Sequence, residues 1–214
     1  NEQQRPVAAV VGGAKVSTKL AVLTNFVEKV DILMLGGGMA NTFLTARGEY
    51  MGASLMEPDL IETAADILVK AEQSGCRVML PEDGLAATTL SANVPHRKIL
   101  NKDILATEMI LDIGPKAIDS YNQALKEVRT VLWNGPMGVF EVRPFDTATV
   151  TLAQMVAEAT ETGRILSVAG GGDTVAALNH AGVVEKFSYV SLAGGAFLEY
   201  IEGKTLPGVE VLST

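Results

Sequence analysis

The stretch Val7–Leu20, VAAVVGGAKVSTKL, decides the fold. Val7 to Val11 is a short apolar run rich in β-branched residues, which reads as a strand buried on both faces and parallel to its neighbours. Gly12 and Gly13 stop it. Val16, Leu20, Leu23 and Val27 then recur at three- and four-residue spacing, which predicts a helix with one apolar face. Lys15 and Lys19 stand four apart, so they share another face in its first turns. Like charges at that spacing repel, and the positive end of a helix disfavours a cation by about 0.3–1 kcal/mol. The unpaired N–H groups of the first turn point the same way. An anion docked at this corner would relieve all three strains, and glycines would let it approach the backbone closely. The expectation is a phosphate cradle built from Gly12, Gly13, Ala14 and two lysines. The plainer alternative is a strand-turn-helix junction with two solvated lysines.

Outward from this unit, strand, glycine-bearing loop and helix repeat about six times. Asp31 to Leu35 is the second apolar run and ends in Gly36-Gly37-Gly38, followed by the short helical stretch MANTFLTARG. Glu57 to Ser74 predicts an amphipathic helix with Leu60, Ile61, Ala64, Leu68 and Val69 on one face and Gly75 as its stop. Arg77 to Leu80 is the third strand. Pro81 to Leu105 breaks the rhythm, with turn signals at Asp83-Gly84 and Asn93-Val94-Pro95 and a strand-like run at Arg97 to Leu100. It reads as an excursion with a small hairpin at the sheet edge. Met109 to Asp112, Thr130 to Trp133 and Arg164 to Ala169 are the fourth, fifth and sixth strands, and Tyr189 to Leu192 is a candidate last one. Helices lie between them: one opens at Pro115, one spans roughly Asp146 to Thr162, a short one runs Asp173 to His180, and another reaches Glu202. The fold class is α/β: a three-layer α/β/α Rossmann-like domain with a mostly parallel six-stranded sheet. In such sheets ligands bind beyond the carboxyl ends of the strands. Those ends carry GGAK, GGGM, DIGP, NGPMG, GGGD and AGGA. That is more glycine than turns alone require, and it suggests one ligand lying across several loops.

The 214 residues fit one large domain or two small ones, and 48% hydrophobic content supports a substantial core. Only 5% is aromatic, so aliphatic side chains and alanine must build it. A net charge of −8 argues against general nucleic-acid or acidic-membrane binding. Cys76 is the one cysteine, which rules out an intrachain disulfide and points to a reducing, cytoplasmic setting. Its context, SGCRVML, predicts an inert thiol in a buried strand. No apolar run has the length of a membrane span. The start, NEQQRP, does not resemble a signal peptide and reads as a cut end.

The short phosphate motifs fail. Gly12-Gly13-Ala14-Lys15 is not Gly-x-x-x-x-Gly-Lys-Ser/Thr. A Gly-x-Gly-x-x-Gly fingerprint is broken at Asn41 after Gly36 and Gly38, and at Val175 after Gly170 and Gly172. Taken in order, however, VVGGAKVSTKL, LMLGGGMANTF, LDIGP, VLWNGPMGVFE, VAGGGDT and GGAFLEYIEGKTLPG resemble the C-terminal half of phosphoglycerate kinase. The resemblance runs from Arg5 to about Val211, and the family's full chain is roughly twice as long as this one. It implies a nucleotide-binding domain without the N-terminal half that holds the three-carbon acid.

The resemblance also implies roles. Gly12, Gly13 and Ala14 would offer backbone to ADP or ATP phosphates. Lys15, Lys19 and Gly171 would stand at the transferring phosphoryl group, where catalysis is chiefly positioning and charge. Gly36, Gly37 and Gly38 with Leu111 would wall the adenine slot, although Leu111 also reads as plain strand core. Asn134, Pro136 and Val139 would contact adenosine, and Glu141 would accept the ribose hydroxyls. Gly170, Gly171 and Gly172 lead into Asp173, a ligand of the nucleotide's Mg2+ and equally a good first-turn acid for a helix. Thr174 would add a hydroxyl or backbone donor to a phosphate. Partners would be nucleotide and, through the missing half, 1,3-bisphosphoglycerate or 3-phosphoglycerate. No nucleic acid or membrane is expected, and a monomer is. Because the acceptor is an ionised carboxylate, no general base is needed, so His96 and His180 are expected in solvated or capping roles. Leu192 and Ala193 depart from the family's Ser-Thr-Gly-Gly-Gly run, and Thr18 stands where some members carry an acid. The rivals are a dinucleotide-dependent oxidoreductase and a nucleotide sensor without catalysis.

Overall fold

The structure is a computed structural model that describes residues 4–192. Six strands form one all-parallel sheet: β1 (Val7–Val11), β2 (Ile32–Leu35), β3 (Arg77–Met79), β7 (Thr130–Asn134), β8 (Leu166–Gly170) and β9 (Tyr189–Ser191). Their spatial order is β3-β2-β1-β7-β8-β9. The chain thus grows outward from β1 in one direction, then returns to the other side of β1. The switch point lies between β1 and β7, and it is there that an open α/β sheet leaves a crevice.

Residues alternate faces along each strand, so the sheet has two cores. Val7, Ala9 and Val11 of β1 and Leu33 and Leu35 of β2 face α1 (Leu20–Phe26), α2 (Gly37–Ala46) and α3 (Ile61–Gln73). Ala8, Val10, Met34, Val131 and Trp133 face α4 (Pro115–Leu125), α5 (Thr147–Glu161) and α6 (Gly172–His180). The three layers and the parallel six-stranded sheet are those the strand-loop-helix repeat implies. Among the described residues no helix is long and apolar enough to cross a membrane.

Several sequence expectations are corrected in detail. Met109 to Asp112 is not a strand of the main sheet. As β6 (Met109–Ile113) it pairs antiparallel with β4 (Asp83–Ala87), which pairs antiparallel with β5 (His96–Leu100) in a separate three-stranded sheet of order β5-β4-β6. The sixth parallel strand is β9 instead. β4 escapes the sequence because it opens with Asp-Gly. Asp83 is buried as a helix cap rather than placed in a turn, and Gly84 lets the Ile110 side chain pack against the backbone. On α3 the buried stripe is Ala64, Ile67 and Ala71, while Val69 is exposed. Val69 lies one residue past the Ala64–Leu68 row, which turns it outward. Residues 57–60 precede α3 as a turn of 3-10 helix over Pro58–Leu60. The helix expected up to Glu202, Ala193 and the GGAFLEYIEGKTLPG motif lie outside the described residues.

Cys76 is buried just ahead of β3, and burial with the nearby Asp31 carboxylate pushes its thiol up to about 11. It is therefore protonated and inert, as its context suggests.

Candidate functional site

Three loops meet at the switch point, and their glycines fit for different reasons. A Cβ on Gly12 would collide with the Pro136 carbonyl, and one on Gly36 would strike Met137. Gly12 and Gly36 thus serve close packing between loops. Gly12 N donates to Asn134 O at 3.0 Å, and Gly37 N to Met137 O at 2.8 Å. Met39 N reaches Gly13 O at 3.1 Å, so the GGA and GGG loops lie backbone to backbone. Gly37, at φ +70°, allows that approach.

A cavity of about 350 Å³ opens in front of these loops. The main sheet contributes Gly13, Ala14, Gly37, Gly38 and Asn41. The small sheet contributes Met109 to Ile113, including Leu111, and the loop after β7 contributes Pro136 to Glu141, including Val139. Asp173 closes the end next to α6. The cavity is mostly apolar, with Leu55 and Leu90 at its margin, each about half exposed. Sequence reasoning missed both. Each sits in a segment with no periodic pattern, so nothing local marks it. Leu111 is buried against Leu85, Ala87 and Phe145, and it also faces the cavity. Val139 N donates to Leu111 O at 2.8 Å, which fixes the two walls together.

The polar corner differs from the expected helix terminus. α1 begins only at Leu20, so Lys15 precedes it in a turn and Lys19 is its N-cap residue. Gly12 and Gly13 leave β1 with a bend, and Lys19 N bonds Val16 O at 2.9 Å to form a separate turn. The two lysines therefore do not share a helical face. Lys15 is solvent-exposed, which weakens its repulsion from Lys19. Lys19 is half-buried and reaches across the switch point, where its Nζ donates to Asn134 Oδ1. Among the described residues no carboxylate is in ion-pair contact with it. Burial pushes its ammonium below the ordinary lysine range, against the opposite pull of the Asp173 carboxylate.

Asn134 is buried at the hub of this corner. Its Nδ2 donates to Gly170 O at 2.6 Å, tying β7 to the end of β8. Gly170 O also accepts the Thr174 hydroxyl at 2.7 Å, and that hydroxyl accepts Gly135 N at 2.7 Å. The Thr174 hydroxyl is thus engaged within the protein, and only its backbone N–H remains as the donor expected of it. Gly171, at φ +98°, caps α6, and Gly172 lies in open space. Asp173 occupies the first turn of α6, where its charge suits the dipole, and it is exposed to the cavity. Glu141 is exposed on the rim.

Of the expected site residues, then, Gly13, Ala14, Gly37, Gly38, Leu111, Pro136, Val139, Glu141 and Asp173 line the cavity directly. Lys19 lies beside the Gly13 edge, its Cε 3.7 Å from where a Cβ on Gly13 would stand. Gly12, Gly36, Asn134, Gly170 and Thr174 hold the loops from behind. Neither histidine lines the cavity. His96 is exposed and bonds Val94 O at 3.0 Å, and His180 pairs with Asp146 at 2.8 Å.

Among the described residues no three His, Cys, Asp or Glu side chains converge as a metal cage. Asp173 fits a lesser part: one carboxylate facing a cavity whose other ligands would come with an incoming phosphate, as suits a hard divalent ion that keeps several waters. Asp112, also unforeseen, is buried at the cavity floor. Its Oδ2 accepts Ala148 N at 2.9 Å in the first turn of α5, and its Oδ1 accepts Ile113 N at 3.0 Å. Desolvation raises its carboxyl well above the usual range despite those two donors.

A family model described as phosphoglycerate kinase matches residues 1–204. The phosphoglycerate kinase of Xanthobacter flavus is 60% identical over 209 residues, covering 98% of this chain and 53% of that protein. That of Zymomonas mobilis is 59% identical over 207 residues, covering 97% and 52%. Among solved structures, phosphoglycerate kinase from Coxiella burnetii aligns with a TM-score of 0.88 at 43% identity, covering 99% of this chain and 54% of that one. The enzyme from Pyrococcus horikoshii OT3 aligns at 0.77 and 28% identity, covering 99% and 53%. The chain spans about half the length of the curated relatives it matches.

Proposed function

The chain belongs to the phosphoglycerate kinase family of glycolytic phosphotransferases, and on that premise we propose that it is the family's C-terminal, nucleotide-binding domain. It binds ADP or ATP with Mg2+. Joined to an N-terminal half that holds the three-carbon acid, it moves a phosphoryl group reversibly from 1,3-bisphosphoglycerate to ADP, giving 3-phosphoglycerate and ATP. A cytoplasmic, monomeric protein is the matching setting.

The observation that carries the reading is the pairing of a mostly apolar cavity with a half-buried ammonium beside its Gly13 edge. The purine lies between the Gly37–Gly38 backbone and the Leu111–Val139 wall. The ribose hydroxyls meet Glu141 on the rim. The phosphates run toward Lys19, the Gly13–Ala14 backbone and the α6 N-terminus at Gly171–Thr174. There Lys19 exchanges an amide oxygen for a phosphate oxygen and gains a full opposite charge in a partly desolvated place. Mg2+ carried on the phosphates would be held by Asp173 and would neutralise charge when bound. Lys15, exposed and free to swing, completes the cradle at the outer phosphate.

Alone, the chain binds nucleotide and turns over little or nothing, because in-line transfer needs the second substrate positioned opposite. Titration of Mg·ADP by calorimetry is expected to give a saturable heat at submillimolar nucleotide, with NADH giving none. No heat from folded protein at millimolar Mg·ADP would overturn the reading. A signal for NADH that ADP cannot displace would instead support the oxidoreductase alternative.

A further inference from the structure

Between α2 and α3 the chain makes a strap, residues 53–57, that touches both ends of the proposed nucleotide site. Ala53 N donates to Glu108 O at 2.8 Å, and Ser54 Oγ accepts Ile110 N at 2.9 Å, which pins the strap to the small sheet. Leu55 O accepts Asn41 Nδ2 at 3.0 Å, and Glu57 N donates to Thr42 Oγ1 at 3.0 Å, which pins it to α2. At its far end the Glu57 carboxylate grips Ser17 with both oxygens. Ser17 N donates to Oε2 at 3.0 Å, and Ser17 Oγ donates to Oε1 at 2.5 Å. Ser17 lies in the turn between the two lysines of the cradle. Burial tends to raise the Glu57 carboxyl, but hydrogen bonds from Ser17 and the Val16 backbone, with the charge of Lys15, outweigh it and hold the group below its usual range.

We propose that Glu57 is a positioning residue for phosphate recognition: by clamping Ser17 it fixes the Lys15–Lys19 turn in its anion-ready shape, in register with the base slot. The proposal rests on the nucleotide-site reading above. Glu57 itself touches no ligand. The turn it holds leaves β1 through Gly12-Gly13-Ala14, a backbone with little stiffness of its own. It also carries two cations, neither of which is in ion-pair contact with a carboxylate among the described residues. A charged, two-point acceptor anchored on α2 supplies both restraint and local compensation. The α2 anchor matters because the first turn of α2 is also a wall of the base slot. Ordering the turn in advance removes an entropy cost from phosphate binding and leaves base binding alone.

The test measures Mg·ADP and adenosine binding to the unaltered chain, Glu57→Ala, Glu57→Gln and Ser17→Ala, together with the apo unfolding midpoint of each. Glu57→Ala should weaken Mg·ADP about tenfold, the worth of one lost charge-assisted clamp, and leave adenosine unchanged within about twofold. Glu57→Gln, which keeps one acceptor for the Ser17 hydroxyl, should recover part of the loss. Ser17→Ala, which keeps the backbone bond, should lose an intermediate amount and stands in if Glu57→Ala does not fold. Mg·ADP and adenosine affinity falling together would make the strap merely structural and overturn the proposal. So would unchanged Mg·ADP affinity in Glu57→Ala. If the unaltered chain binds neither ligand, the site reading falls, and this proposal with it.

Discussion

Lys19 is the residue on which the proposed site turns, because its ammonium is half-buried and, among the described residues, hydrogen-bonds an amide oxygen with no carboxylate in ion-pair contact. Lys19→Ala should weaken Mg·ADP binding about 10- to 100-fold, the range expected for a hydrogen bond to a charged group. The apo midpoint should stay level or rise slightly, because a poorly solvated cation is removed. Lys15→Ala, at an exposed position, should cost less. The same burial sets a pH dependence. The folded-state pKa of Lys19 is lowered, so the unfolded chain binds more protons in the window between the two values. Apo stability therefore gains from this group as pH rises through that window. Phosphate favours the charged form, so nucleotide affinity should fall at alkaline pH sooner than an ordinary lysine would dictate. Calorimetry across pH 7 to about 10 reads both directions of the claim. Glu108 has a slope of the same sign from the opposite cause, because its charged form is favoured in the fold. The Arg97 guanidinium at 2.7 Å, with Leu105 N, holds its carboxyl near 2, down from 4.5. Its stabilising share is complete above pH 4.5 and is lost as pH falls toward 2. Glu108→Gln should be less stable at pH 7, and the gap to the parent should close through that acid window in denaturant titrations.

Two strands of the small sheet each supply a buried aspartate to a helix of the main domain. Asp83 of β4 accepts Lys116 N at 2.9 Å and Ala117 N at 2.8 Å at the start of α4, and Asp112 of β6 accepts Ala148 N at the start of α5. A Cβ on Gly114 would collide with the Asp83 carboxylate, and one on Gly138 with Asp112, so glycines make room for both caps. Asp83→Ala strands two first-turn N–H groups in a buried place and should lower unfolding free energy by about 2 kcal/mol or more. Its denaturant slope should be unchanged, and equilibrium unfolding reads both quantities. These caps also mark where the sequence stops being legible. The parallel strands and the helix stops at Gly75 and Gly163 follow from local pattern, because apolar runs and glycine punctuation act over a few residues. The Asp83–α4 contact spans more than thirty residues and turns an apparent Asp-Gly turn into a strand. At the site, glycine positions are legible, but their division of labour is not. Gly13 faces the cavity while Gly12 packs on Pro136, and only the partner loop decides which does which. The α1 start fails for the same reason. Val16 and Leu20 have helical spacing, but the Glu57 clamp on Ser17 and the Lys19 reach to Asn134 hold the first turn apart from the helix.

At the scale of the whole molecule, the cavity is walled by both sheets and all three switch-point loops. A ligand there binds the folded state alone and adds stability by mass action, about 2.7 kcal/mol at a hundredfold excess over Kd. That gain reaches every amide that exchanges only through global opening, such as those in the fully buried β1 and β7. Amides that exchange through local opening discriminate further. The turn at 15–19, the strap at 53–57 and the loop at 136–141 bound the cavity or its polar corner, and closing a ligand among them should slow their exchange. The far sheet edge supplies the control. There α3 and β3 frame a second hollow lined by Arg47, Leu68, Val69, Glu72 and Cys76, none of which lines the switch-point cavity. Exchange at the exposed C-terminal turn of α3 should not change on adding Mg·ADP. Protection that appears at α3 and not at the three loops would place the ligand in the second hollow and remove the switch point as the nucleotide site.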